Sequence, residues 1–143
     1  MMTGSILDGL RARREQLVAA QAKTVPFPRW EDPSLTLRIH PVDGAQLTRI
    51  LKSAKESDPD AMTAIHASIV AAATEHVTVG GDTSMKVREL AEYVGLGPEA
   101  SAGDVIRRVA IADGDIKGLA DAVLKLSGYL DGVDYLDEAL AGE

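Results

Sequence analysis

Between residues 5 and 23 the apolar positions Ile6, Leu7, Leu10, Leu17 and Val18 recur at helical spacing, and Ser5 with Asp8 resembles a capping box. This pattern predicts a first helix, charged on its outer face. Residues 24–34 (TVPFPRWEDPS) hold three prolines together with Phe27 and Trp30, and each proline disfavours helix at the residue before it, so an extended connecting arm is expected. Leu35, Leu37 and Ile39 then alternate with Thr36, Arg38 and His40, the period of a strand with one buried face, which Pro41 ends. Asp43 and Gln46 form a second capping pattern ahead of Leu47, Ile50 and Leu51, on a helix running to about Glu56. Asp58 as N-cap and Pro59 at the first helical position start another, with Met62, Ile65, Ile69 and Ala72 along one face. Residues 74–79 (TEHVTV) alternate again and close on Gly80 and Gly81, which predicts a second short strand pairing with the first.

Val87, Leu90, Ala91 and Val94 predict a helix over 85–94, stopped by Gly95, Gly97 and Pro98. Ser101 and Asp104 cap a stripe of Val105, Ile106, Val109 and Ile111. After the break at Asp113, Gly114 and Asp115, a last helix follows with Asp115 as its cap and Ile116, Leu119, Val123, Leu124 and Leu126 on one face. The expected fold class is mainly α (α+β): five to six short helices with a small two-stranded β element near residues 35–40 and 74–79. The expected organisation is an N-terminal helix at 1–23, a proline-rich connecting arm at 24–34, a helical core domain with the β element at 35–132, and an acidic C-terminal tail at 133–143.

Composition narrows the function. Of the 143 residues 45% are hydrophobic and 26% charged, enough apolar surface for one folded core, and with only 3% aromatics that core must be built from small aliphatic side chains. Lys and Arg number 15 against 22 Asp and Glu, and the net charge of −7 repels phosphate backbones, so nucleic acid is not expected as a partner. The run Arg11, Arg13, Arg14 is followed by Glu15 and interleaved with no stacking aromatics, which marks a solvated helix face. The absence of cysteine excludes a thiolate nucleophile, a disulfide framework and a cysteine-based metal site, and suits a reducing compartment. No signal-peptide pattern and no apolar run near the ~20 residues of a membrane span occur, so residence in the cytoplasm, without membrane contact, is expected.

No catalytic constellation emerges. His40, His66 and His76 share no spacing that would converge them on a metal, and solvent contact is the expectation for all three. Asp113, Asp115 and Gly118 resemble the opening of a calcium loop, but Leu124 stands where the bidentate Glu is required. The glycines at 80–81 and 94–98 lack phosphate-loop spacing and its lysine, and Glu89 and Glu92 lie on an exposed face. Neither a cofactor nor a metal is expected, and no enzymatic activity. The candidate protein-binding residues are Phe27, Trp30, Leu35, Leu37 and Ile39: an aromatic arm leading into a strand with few sequence partners leaves an edge that pairs with a neighbouring chain in a homo-oligomer. The plainer alternative is that Phe27 and Trp30 plug the core.

The segment PFPRWEDPSLTLRIHPVDGAQLTRIL, with the later stretches RELAEYVGLG and SAGDVIRRVAIADGDIKGLADAVLKLSGY, resembles the tail assembly chaperones of long-tailed bacteriophages of actinobacterial hosts. The resemblance runs across much of the chain; Leu126 and Ser127 depart from it, standing where relatives carry a Trp-Ser pair. It implies a non-enzymatic protein of the host cytoplasm that multimerises around the tape measure protein, keeps that long helical chain soluble and helps recruit tail-tube subunits. The rival expectation is a small oligomeric virion component, a head–tail connector or tail terminator, which unlike a chaperone would remain in the mature particle.

Overall fold

The alternation in 35–39 is realised in full: Leu35, Leu37 and Ile39 are buried and the residues between them half-buried, on the strand β2 (Ser34–Ile39). The computed structural model describes residues 2–53, 60–129 and 131–134, with side chains from Ser5 onward. Along the chain run α1 (Met2–Gln21), β1 (Lys23–Glu31), β2, α2 (Gly44–Lys52), α3 (Ala61–Ala73), β3 (Thr74–Val79), β4 (Thr83–Met85), a 3-10 helix (Val87–Val94), α4 (Ala102–Val109) and α5 (Asp113–Leu126). The four strands form one antiparallel sheet in the order β1-β2-β3-β4.

Mixed helix and sheet is therefore the class, with two strands more than the pattern predicts. Residues 24–34 are not a free connector. Their first part is β1, paired from Lys23 opposite Ile39 to Pro26 opposite Thr36 and again at Glu31 opposite Ser34. Pro26 and Pro28 forbid helix, but an edge strand tolerates their missing N–H donors because its outer side has no ladder to complete. The second addition follows from Gly80 and Gly81, whose φ of 67° and 83° turn the chain back so that Thr83–Met85 pair with Val77–Val79. The helix expected over 85–94 is consequently shorter and of 3-10 type, a difference that an i, i+3 spacing of Val87 and Leu90 does not reveal, being common to both helix types. Gly95, at φ 81°, ends it in the left-handed conformation.

Two capping boxes form as their spacing predicts. Asp43 accepts from the Gln46 N–H at 2.8 Å while Gln46 accepts from Asp43 at 3.2 Å, and Ser101 and Asp104 exchange bonds of 3.1 and 3.0 Å. Asp115 is not a cap: α5 begins two residues earlier, with Ala112 at the cap position, and Asp113 and Asp115 lie in the first turn, where the positive end of the helix favours them. Ser5 likewise lies inside α1 and not at its start. The expected cap at Asp58 with Pro59, and the acidic tail from 135 onward, lie outside the described residues.

The centre of the molecule is α3. Ile65, His66, Ala67, Ile69, Val70 and Ala73 are buried on it because α4 and α5 both pack against it, and one continuous core joins these helices to Phe27, Leu35, Leu37, Ile39 and Val77 of the sheet. His66, expected at the surface, is thus 6% exposed: its helix is covered on more than one side, which the stripe of Met62, Ile65 and Ile69 does not disclose.

Candidate functional site

Four of the five residues expected to bind a partner are inside the protomer. Phe27, Leu35, Leu37 and Ile39 are at most 5% exposed and pack in the common core, and β2 has a neighbour on each side, so the free edge anticipated for it does not exist. The sheet's edges are β1 and the three-residue β4. Trp30 is half-buried, and its indole N–H donates to the Val109 carbonyl at 3.0 Å.

The register of β1 explains how the aromatics reach inward. Between Pro26 and Glu31 the strand bulges away from its ladder with β2. Within the bulge Arg29 holds a φ of 74°, a left-handed conformation that costs a side-chain-bearing residue on the order of 1–2 kcal/mol. Three contacts offset it: Phe27 enters the core, Trp30 satisfies a terminal carbonyl of α4, and Arg29 meets Asp115 of α5 at 2.8 Å. The proline-rich segment is therefore a clasp between the sheet and the helical layer.

Among the described residues, α1 is the element left most uncovered. Its 20 residues make only slight contact with the other elements, and Ile6, Leu7, Leu10, Leu17 and Val18 are 68%, 57%, 65%, 48% and 36% exposed. Leu7, Leu10, Arg14 and Leu17 follow the alternating three- and four-residue steps of a helix–helix seam, with Ile6 and Val18 beside them. The sequence names these residues, but periodicity identifies only an apolar stripe and not whether the chain's own core covers it. Along its surface Arg13 donates to the Gln16 side-chain oxygen at 3.4 Å. At its base Arg14, Glu15, Val18, Ala19 and Ala22 border a groove shared with His40 and Glu75.

Elsewhere the surface offers small clefts. The Met62, Thr63, His66, Asp113, Gly114, Lys117 and Val133 side of α3 and α5 bounds one of about 240 Å³, and a more open one of about 480 Å³ lies along Leu96, Glu99, Asp104, Arg107 and Arg108. The polar groups of the first are Thr63 and His66 of α3 and Asp113 and Lys117 of α5. The histidines are dispersed: His40 is half-buried with Nδ1 2.9 Å from the Pro41 carbonyl, and His76 sits across the ladder from Arg38. Among the described residues no group of three or more His, Asp or Glu side chains is arranged to hold a metal ion, and no helix is long and apolar enough to cross a membrane.

The Asp121 carboxylate is perturbed. Burial pushes it up, but its bond to Lys125 at 2.9 Å, the Val133 N–H at 3.1 Å and the charge of Lys117 outweigh that and hold it below the ordinary aspartate value of 3.8. A Cβ on Gly132 would run into this carboxylate, so the close approach of chain 131–134 to α5 depends on glycine there. This is an anchor for the end of the fold. Comparison with family models, with curated proteins and with solved structures finds no match for the chain, so the case for its function rests on the geometry of α1 and on the residues themselves.

Proposed function

We propose that the protein is a non-enzymatic tail assembly chaperone that binds the tape measure protein of a long-tailed phage in the host cytoplasm, keeps it soluble and promotes tail-tube assembly around it. The observation that carries this reading is the exposed stripe of α1, a helix that meets the folded body only slightly, with aliphatic side chains at seam spacing. Such a surface suits an amphipathic helical partner, the type of segment that a long tape measure chain supplies. Full burial of one aliphatic side chain contributes about 1.5–3 kcal/mol, while association costs roughly 4–15 kcal/mol, so a five-residue stripe gives a weak single contact. Many copies along one extended client then hold it by avidity. The excess of acids, with a net charge of −7, keeps the loaded assembly from clumping.

The test is co-expression with the cognate tape measure protein, using the natural chain and a Leu10→Glu, Leu17→Glu variant. A soluble complex with the former and aggregated client with the latter is the expected result. Aggregated tape measure protein beside abundant natural chain overturns the reading.

A further inference from the structure

We infer that, in the free protein, the stripe of α1 is covered by α1 of a second copy, running antiparallel, and that this helix pair makes the protein a reversible homodimer. The inference shares a helix with the proposed client contact, but it concerns this chain alone.

The first argument is symmetry. A two-fold interface requires one surface to be complementary to itself, with residue i meeting j and j meeting i. Reflected about Ala12, the stripe of α1 maps onto itself: Ile6 exchanges with Val18, Leu7 with Leu17, and Leu10 with Arg14. An antiparallel pair therefore sets Leu7 against the partner's Leu17 and Ile6 against the partner's Val18 at both ends of the seam. The aliphatic stem of Arg14 covers the partner's Leu10 while its guanidinium reaches water.

Charge selects the antiparallel arrangement. The arginines on the helix do not decide it, because the antiparallel register sets Arg14 against Leu10 but leaves Arg11 facing the partner's Arg13. The separation of the bodies does. On α1 three arginines stand against two acids, so more than the whole net charge of −7 resides in the rest of the chain. Twenty residues of helix span about 30 Å, against a screening length of roughly 8–10 Å, and antiparallel pairing leaves the two acidic bodies at opposite ends of that span.

The third argument is the helix itself. α1 has Gly9 in its interior with nothing within 4 Å of where a Cβ would be, and packs on little of its own chain, yet helices in proteins draw most of their stability from an amphipathic face buried against something. A second copy supplies that burial. One helix pair lies at the small end of interface sizes, so the dimer dissociates on dilution.

Sedimentation of the full chain over a concentration series, without client, tests this. A shift from monomer to dimer mass is expected, with loss of the dimer in the Leu10→Glu, Leu17→Glu variant at an unchanged circular dichroism melt of the body. Because the chain has no cysteine, orientation is read directly by mixing Leu7→Cys and Leu17→Cys proteins under mild oxidation. Cross-links between the two variants in excess over self-links support antiparallel pairing. Predominant self-links overturn it, as does a chain that stays monomeric at every concentration or a dimer that survives the double glutamate variant. Client solubility is scored separately in co-expression, so failure of the dimer and failure of the chaperone reading are distinct outcomes.

Discussion

The Trp30 indole donates to a carbonyl that the last turn of α4 cannot satisfy within its own helix, a bond between residues 79 positions apart. Replacing the ring by phenylalanine keeps most of the apolar contact and removes the donor. Trp30→Phe is accordingly expected to destabilise the fold by about 1 kcal/mol, measured by denaturant midpoint, while leaving the oligomeric state unchanged. A change in association without a change in stability would place Trp30 at an interface between chains and not in the clasp. Ser127 works in the same local way: its hydroxyl accepts from the Val42 N–H at 2.9 Å and donates to the Val123 carbonyl at 2.7 Å, tying the end of α5 to the link between β2 and α2.

Among the elements, α5 and the segment after it are joined through Asp121. Its folded pKa is lowered, so the stability it contributes is present above the unfolded value of 3.8 and is lost as pH falls through the lower folded value. Asp121→Asn should therefore flatten the acid limb of a melting-temperature profile below about pH 4 and leave its shape above that unchanged, as followed by circular dichroism. An acid limb identical in both proteins would remove Asp121 from the account. The β1 bulge acts on a larger scale than either contact alone: it reaches α4 through Trp30 and α5 through Arg29, so one irregular strand positions two helices.

For the whole molecule the division is between a packed body and a projecting helix. A chain that begins at Ala22 is expected to melt within a few degrees of the full chain, because the core residues all lie beyond α1, while losing the concentration-dependent mass. Thermal unfolding with parallel sedimentation measures both. A collapse in cooperativity on truncation would mean that α1 supports the body. The net charge of −7 belongs to this scale too, limiting close approach of bodies and leaving contact to the mainly aliphatic stripe.

The sequence by itself determined what depends on neighbours a few residues apart: the alternation that buries Leu35, Leu37 and Ile39, the capping boxes at Asp43 and Ser101, the glycine stop at Gly95, and the apolar stripe of α1. Each is a local preference of backbone and side chain, legible at short range. Only the tertiary structure decided what covers each apolar face. It drew the proline segment into the sheet as β1, enclosed β2 on both sides, buried His66, gave Asp115 to Arg29, and left Leu7, Leu10 and Leu17 without a cover from their own core. The physical reason is that hydrophobic attraction has no direction along the chain: periodicity states that a face will be buried, and long-range packing alone selects against what.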